Sequence, residues 1–282
     1  MTKFKNLLTF VVLAVMVMVA AGCQRTPAPT PPGPSPTPVE PVRMDVAVYY
    51  IKTTPTEMYL IREVHQVDKT AEVAKAALNE LISGTPTTAG ASRVLPAGTR
   101  ILGINIDKEL ATVDFSTEVL QANVGSSGEA LGIASIVNTL TEFPTIKKVA
   151  FMVEGSKEKG MDWWGHVGLY EQPFQRDVSH VFEPAIWVTS PVKDQVITSP
   201  VKISGSARVF EATVSFRLRD SSGMVIAQGH TMASEGAPGR GDYSAELAFT
   251  ASGPSQGQIE VFEASAKDGS DINKVIIPVQ WQ

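Results

Sequence analysis

A single cysteine, Cys23, occurs among the 282 residues of the chain, together with only four histidines. One thiol cannot form a disulfide within the chain, so packing alone must hold the folded part together. The histidines, His65, His166, His180 and His230, are too far apart in sequence for a metal-binding motif. The sequence also lacks a Gly-x-Ser-x-Gly nucleophile elbow and a phosphate-binding loop. We therefore expect no metal, no cofactor and no catalytic activity.

Positive charge is also scarce. The chain has 24 lysines and arginines against 29 aspartates and glutamates, a formal net charge of −5. Nucleic-acid binding requires clustered basic residues, and the only adjacent pair here, Lys147 and Lys148, precedes an apolar strand. Nucleic acid is therefore not an expected partner. Hydrophobic residues make up 43% of the chain, which is enough for ordinary globular cores.

Residues 1–22 have the pattern of a secretory signal peptide. Lys3 and Lys5 precede an uncharged apolar run over residues 7–21, which falls short of the roughly 20 residues that a membrane-spanning helix needs. Cys23 follows small residues and resembles the acylated cysteine of a bacterial lipobox, although Ala20 stands where that motif usually has leucine. The resemblance implies a lipoprotein on the outer face of the cytoplasmic membrane. The alternative is an ordinary signal peptide beside an incidental cysteine.

Residues 23–43 are predicted to form a tether. Eight prolines lie between positions 27 and 41, and proline lacks the amide hydrogen that helices and sheets require. An extended polyproline II segment over residues 26–41 would reach about 50 Å at about 3.1 Å per residue. We interpret the tract as a spacer between the membrane and the first domain. Recognition of the tract by a binding partner is the alternative.

Residues 44–177 are predicted to form an α+β domain, a mixed sheet with two helices on one face. The expected order is two strands, a helix, a hairpin, a second helix and a last strand. The predicted helices cover residues 70–83 and 127–143, and the predicted strands are residues 45–51, 58–67, 99–106, 111–115 and 149–153.

Four segments of this region resemble the GerMN domain of bacterial sporulation and germination proteins. They are residues 77–86 (ALNELISGTP), 95–99 (LPAGT), 113–116 (VDFS) and 139–149 (TLTEFPTIKKV). The resemblance implies a fold similar to the ring-building modules of secretion machines, without a catalytic centre. Its implied partners are envelope or spore-assembly proteins.

Trp163 and Trp164 are the candidate ligand or partner residues of this domain. Adjacent tryptophans on a glycine-containing segment could form an aromatic platform for a sugar or a protein. Alternatively, one indole packs under the loop while the other reaches the surface. The platform would make the chain a peptidoglycan-binding module, and an envelope hydrolase is a further alternative.

Residues 184–282 are predicted to form an all-β immunoglobulin-like sandwich of seven short strands separated by turn residues. Residues 199–207, 209–212 and 261–269 resemble the immunoglobulin-like domain of bacterial spore germination proteins. The predicted core residues are Ile203, Phe216, Ile226, Leu247, Val261 and Val279.

Two further motifs stand out in this second domain. Glu211 and Glu263 each follow a phenylalanine, which is either a coincidence on the surface or a pair of carboxylates that accept backbone hydrogen bonds. The Arg-Gly-Asp tripeptide at residues 240–242 is expected to belong to a hairpin turn rather than to an adhesion site. Together, the patterns predict a non-enzymatic envelope lipoprotein, and the two family resemblances imply that it is an assembly or interaction module in sporulation or germination.

Overall fold

The computed structural model describes residues 42–166, 168–250 and 253–282. The predicted signal peptide, Cys23 and the Pro-rich tract lie outside these residues. All of the described residues fall in one compact unit, which contains two hydrophobic cores. Within the described part of the chain, none of the helices combines the length and apolar character needed to cross a membrane.

The described residues of the first half form eight strands and three α-helices. The strands are β1 (Arg43–Thr53), β2 (Met58–Asp68), β3 (Ala91–Ser92), β4 (Ile101–Asp107), β5 (Leu110–Phe115), β6 (Lys148–Val153), β7 (Phe174–Gln175) and β8 (Val181–Glu183). The helices are α1 (Val73–Ser83), α2 (Gly125–Thr141) and α3 (Lys157–Asp162).

These strands form two four-stranded mixed sheets, in the orders β3-β1-β2-β8 and β4-β5-β6-β7. The β2–β8 and β5–β6 pairs are parallel and the other pairs are antiparallel. The predicted α+β class is confirmed, with the strands divided between two sheets rather than joined in one. Strand β8 ends the first half and pairs with β2 at the edge of the first sheet. The chain therefore passes directly from this sheet into the second half.

Helix α2 covers the part of β1 that β3 leaves unpaired. Ser135 donates a 2.5 Å hydrogen bond to the carbonyl of Tyr49, and the amide of Tyr49 donates to Thr139 Oγ1 at 3.2 Å. Both hydroxyls are buried, and they satisfy backbone groups that an uncovered strand edge would expose to water. The helix thus fixes β1 by hydrogen bonds as well as by apolar packing.

The second half is a sandwich of a five-stranded sheet, β10-β16-β15-β12-β13, on a three-stranded sheet, β14-β11-β9. Its strands are β9 (Ile186–Ser190), β10 (Gln195–Ile197), β11 (Val201–Ala207), β12 (Thr213–Asp220), β13 (Val225–Met232), β14 (Gly241–Leu247), β15 (Ser255–Ala264) and β16 (Asp271–Trp281). The predicted immunoglobulin-like class is confirmed, with β10 as an additional strand parallel to β16. Five of the six predicted core residues are buried, and Ile226 is half-buried.

Candidate functional site

The two tryptophans that the sequence singled out are both buried. Trp163 ends α3, and the exposed fractions of Trp163 and Trp164 are 1% and 4%. Their rings stack with centroids 4.2 Å apart, and Trp163 meets Phe115 and Phe151 edge-on at 5.6 Å each. Trp164 also packs so closely on α2 that a Cβ atom at Gly132 would lie 2.5 Å from its Cη2 atom.

The expectation of an aromatic platform at Trp163 and Trp164 is therefore wrong. Trp164 has a φ of +59°, a left-handed conformation that residues other than glycine adopt infrequently. This backbone turn accompanies the burial of both adjacent rings, whereas an extended strand would send them to opposite faces. The alternative with one exposed indole does not hold either.

A largely buried cluster of charged groups lies at the junction of the two halves, around Glu142. This residue follows α2 and belongs to the segment of residues 139–149 that carried the GerMN resemblance. Glu142 accepts two hydrogen bonds from Arg62 on β2, at 3.0 and 3.3 Å, and one from Arg176 at 2.7 Å. The Tyr49 hydroxyl donates to the same carboxylate at 2.5 Å and accepts from Arg176 at 2.8 Å.

The hydrogen-bond partners of Glu142 determine the ionisation of the carboxylate and of the Tyr49 phenol. Burial alone would raise the pKa of Glu142, but the hydrogen bonds and charges of Arg62 and Arg176 outweigh it and lower the pKa to about 2. Burial, and then the charge of Glu142, raise the pKa of Tyr49. The cluster therefore holds one carboxylate that contacts two guanidinium groups and a neutral phenol.

Trp187 joins this cluster to the second half. It lies on β9 of the sandwich, yet its ring belongs to the hydrophobic core of the first half. The guanidinium carbons of Arg62 and Arg240 lie 5.3 and 4.0 Å from the ring centroid. Tyr243 on β14 donates a 3.0 Å hydrogen bond to the carbonyl of Trp187. Cation–π contacts of this kind strengthen when water is excluded. Through its contact with Arg62, Trp187 connects β9 of the second half to β2 of the first half.

Arg240 is the most deeply buried arginine of the junction, with an exposed fraction of 5%. It donates to the carbonyls of Val181 at 2.8 Å, Pro184 at 2.5 Å and Phe182 at 3.5 Å, the segment that connects the two halves. In the described part of the chain its Nη1 atom has no hydrogen-bond partner. Burial lowers the pKa of Arg240 to about 10. The tripeptide at residues 240–242 thus begins with a buried residue and enters β14 directly, so it does not form an exposed adhesion motif.

A second cluster of titratable groups lies on β2 and α1. His65 is nearly enclosed, with Nδ1 2.7 Å from Glu80 Oε1 and Nε2 2.7 Å from Glu63 Oε2. Glu63 also accepts hydrogen bonds at 2.8 Å from the amides of Thr87 and Thr88 and from the Thr87 hydroxyl. The loop after α1 is therefore attached to β2 through one carboxylate. Within the described residues, no group of three or more His, Cys, Asp or Glu side chains is arranged to hold a metal ion.

Neither cluster was predicted from the sequence. Glu63 and His65 are two residues apart on a strand and therefore share one face, which was a readable signal for the second cluster. No such signal existed for the first, since Arg62, Glu142 and Arg176 are distant in sequence and each resembles an ordinary surface charge.

Glu211 and Glu263 have different roles. Glu263 is buried and accepts hydrogen bonds from the amide of Phe210 at 2.8 Å and from Asn273 Nδ2 at 2.7 Å. Glu211 is exposed and has a φ of +50°. The interpretation of a carboxylate that accepts a backbone hydrogen bond therefore holds for Glu263 alone, which fixes the turn between β11 and β12.

Comparison with known proteins covers both halves. Residues 47–159 match the family described as sporulation and spore germination. Residues 185–270 match the immunoglobulin-like domain of bacterial spore germination. The spore germination protein GerM of Bacillus subtilis is 29% identical over 150 residues, which cover 51% of this chain and 38% of GerM. The chain thus spans well under half the length of this curated relative.

Two solved structures from the same organism are similar in part. The tandem GerMN domains of GerM are 23% identical, with 49% of this chain and 48% of that chain covered and a TM-score of 0.41. The first GerMN domain alone is 29% identical, with 40% and 84% covered and a TM-score of 0.35. With both TM-scores this low, the assignment rests on the family matches. The chain thus contains one domain that matches the sporulation and spore germination family, followed by a second domain that matches the immunoglobulin-like domain of bacterial spore germination.

Proposed function

We propose that the chain is a non-catalytic assembly module of sporulation or spore germination, held at the outer face of the cytoplasmic membrane by an acylated Cys23. Its partners are envelope or spore-assembly proteins, which it binds through the surfaces of two halves kept in a fixed arrangement. The tether raises the local concentration of these surfaces near membrane-bound partners.

The observation that carries this proposal is that the charged groups of the junction make their hydrogen bonds to each other and to the segment that connects the two halves. Glu142 is occupied by three donors, and Arg240 donates to three carbonyl oxygens of the connecting segment. A catalytic acid or base must keep a reacting atom within hydrogen-bond reach of a substrate. Charged groups whose hydrogen bonds join two domains instead favour a protein that presents its surfaces in a rigid arrangement.

Cross-linking in intact cells tests the assembly role. We expect the full chain to form discrete adducts with envelope proteins during sporulation or germination. The purified full chain should give no cleared band in a peptidoglycan zymogram. A cleared band at the position of the purified chain would contradict the non-catalytic proposal, whatever partners the cross-linking captures.

The lipid anchor has its own test. Cys23→Ser should abolish incorporation of a labelled fatty acid and release the protein from the membrane fraction, since Cys23 is the only thiol of the chain. Two acyl chains give stable anchoring, whereas one holds a protein only marginally. The matched control is Ser35→Ala in the Pro-rich tract, which should leave labelling unchanged. Unchanged labelling in Cys23→Ser would refute acylation at this position.

Peptidoglycan binding was the alternative that Trp163 and Trp164 suggested. Their burial removes the observation that favoured it. We expect purified peptidoglycan not to retain the full chain in a pull-down, and retention would revive this alternative through a surface other than the indoles.

A further inference from the structure

Three large apolar side chains are exposed at one end of the sandwich. Phe210, in the turn between β11 and β12, is 56% exposed, and Met232 and Ile272 are 60% and 40% exposed. Met232 ends β13 and pairs with Thr213 at the start of β12. Ile272, near the start of β16, pairs with Glu263, whose carboxylate binds the amide of Phe210. The three side chains therefore lie at the same end of the sandwich, and we call them the apolar knob.

The backbone beside Phe210 is held in an unusual conformation. Glu211 and Ala212 follow it with φ angles of +50° and +58°, in the left-handed region that residues with a side chain adopt infrequently. The buried Glu263 accepts a 2.8 Å hydrogen bond from the amide of Phe210, and the amide of Ala233 donates to the carbonyl of Ala212 at 2.8 Å. Strained positions that the surrounding structure holds in place cluster at binding sites. Phenylalanine and methionine are enriched in protein interfaces, so the fixed turn indicates an anchor for a partner.

An apolar groove lies on the first half. Its walls are the start of α1 with the residues before it, the edge strand β4 and the turn after α2, and its volume is about 510 Å³. Among the described residues, β4 pairs with β5 alone, so the groove opens at an unpaired sheet edge. Pockets of this volume bind drug-sized molecules, so the groove is large enough for the side chain of a phenylalanine and a neighbour. Its apolar lining includes Leu102, Ile104, Ile106, Phe143 and Pro144.

The knob and the groove are complementary in polarity and in charge. The knob is an apolar projection, and the groove is a concave surface with an apolar lining. Glu211 is exposed beside Phe210. Lys75 lines the groove, and the exposed Glu72 that pairs with it lies 3.7 Å away. Insertion of the knob would therefore bring the Glu211 carboxylate towards an ammonium group that is only loosely paired.

We propose that the apolar knob of one copy of the chain inserts Phe210 into the groove of a second copy. Phe210, Leu102 and Ile106 are all exposed within one copy, so the chain does not fill its own groove. An apolar projection that fits a pocket elsewhere on the same molecule forms a head-to-tail contact, which joins unlike surfaces. Each copy then gives its knob to one neighbour and receives the knob of another. This self-assembly adds to the proposed function and does not require it.

Photo-cross-linking between two differently tagged copies of the full chain tests the contact. One copy carries p-benzoyl-phenylalanine in place of Phe210, which keeps an aromatic side chain at this position, and the other copy carries Phe210→Ser. Cells that produce both copies are irradiated. We expect a dimer that contains both tags, and mass spectrometry should place the cross-link among residues 71–75, 102–106 or 143–146.

The direction of the contact is tested by changing the groove in one copy at a time. Leu102→Asp with Ile106→Asp in the copy without the cross-linker should lower the yield about tenfold or more, because burial of unpaired carboxylates is costly. The same substitutions in the copy with the cross-linker should not lower the yield, since that copy contributes only its knob. Val192→Asp, at an exposed position after β9, is the matched control in the receiving copy and should leave the yield unchanged.

Other products would overturn the proposal. A cross-link within one copy, or to the sandwich of the second copy, would exclude the head-to-tail contact, and so would equal losses from the groove substitutions in either copy. Adducts with a different protein alone, or no adduct, would show that a second copy is not the occupant. Limited proteolysis verifies that each variant is folded, which is expected because Leu102 and Ile106 are exposed. The position of the cross-link is decisive without these substitutions.

Discussion

At the scale of single residues, the junction of the two halves depends on the contacts of Glu142. Its carboxylate is in contact with two arginines and a tyrosine, and its side chain is 17% exposed. Removing one member of a buried ion pair leaves the other charges without compensation, and this costs more than the pair itself contributes. Glu142 therefore matters chiefly as the counter-ion that makes two buried arginines tolerable.

Glu142→Gln is expected to lower the free energy of unfolding by about 2–4 kcal/mol, because Arg62 and Arg176 would remain close together without a carboxylate. Urea denaturation of the full chain measures this loss. The matched control is Glu183→Gln, which removes the carboxylate that pairs with Lys52. The Glu183 side chain is more exposed than that of Glu142, so its loss should lower the free energy of unfolding much less. Equal losses in the two variants would show that Glu142 is an ordinary surface charge.

The cluster of Glu63, His65 and Glu80 predicts a dependence of stability on pH. Burial by itself lowers the pKa of His65, but hydrogen bonds to Glu63 and Glu80 outweigh it and raise the pKa above 6.5. A raised pKa in the folded state stabilises the protein fully below the unfolded value of 6.5, and this contribution disappears as the pH rises through the folded value. Stability from His65 is therefore lost on the alkaline side.

Glu63 acts in the opposite direction. Burial would raise its pKa, but hydrogen bonds from Thr87, His65 and Thr88 lower it to about 2. A lowered pKa stabilises the folded state above the unfolded value of 4.5, and this contribution is lost as the pH falls towards 2. The two effects together place the greatest contribution of the cluster between about pH 4.5 and 6.5.

Melting temperatures of the wild type and of His65→Gln, measured as a function of pH, test the loss of the His65 contribution on the alkaline side. The difference in Tm should be large near pH 5.5 and should shrink as the pH rises above the raised pKa of His65. His230→Gln, at an exposed position on β13, is the control and should leave the pH dependence unchanged. A Tm difference for His65→Gln that stays constant with pH would contradict the charged state of this histidine.

At the scale of elements, β9 and β11 approach each other closely at Gly205. A Cβ atom there would lie 2.0 Å from the carbonyl oxygen of Trp187 and 2.7 Å from the Tyr243 hydroxyl oxygen. The pairing of β11 with β9 also shifts register between Ser204 and Gly205. The absence of a side chain at Gly205 thus permits the hydrogen bond between Tyr243 and Trp187 that supports the junction.

Gly205→Ala should therefore destabilise the protein by about 1–3 kcal/mol, the usual cost of overpacking. It should also weaken the contact of β9 with β11, because the methyl group displaces the Trp187 carbonyl or the Tyr243 ring. Thermal unfolding measures the loss of stability. Gly103→Ala on β4 is the control, since nothing lies within 4 Å of its added Cβ atom. A neutral effect at both positions would mean that β9 is free to move.

The long elements could be predicted from sequence because their patterns are local. The predicted strands over residues 99–106 and 111–115 correspond to β4 and β5, which are joined by a turn at Lys108 and Glu109, both with positive φ angles. Strand β8 could not be predicted, since three residues carry no period and its partner β2 lies far away in sequence. The charged cluster around Glu142 could not be predicted for the same reason. Its residues are distant in sequence and come into contact only in the folded structure.

At the scale of the whole molecule, the two hydrophobic cores are joined by contacts at the junction of the two halves. Trp187 belongs to a strand of the sandwich but packs in the first core, and Arg240 binds the carbonyls of the connecting segment. Interfaces between domains of one chain normally allow relative motion unless they are large and well packed. The buried arginines and Trp187 therefore predict a fixed arrangement of the two halves.

Distance measurement by electron–electron double resonance tests this rigidity most directly. Spin labels are attached at Glu57→Cys and Ser222→Cys, two exposed positions, in a Cys23→Ser background. We expect a single narrow distance distribution in the otherwise unchanged chain, and a broad one when Trp187→Ala is added. A broad distribution already present with Trp187 in place would contradict the claim that the junction fixes the two halves.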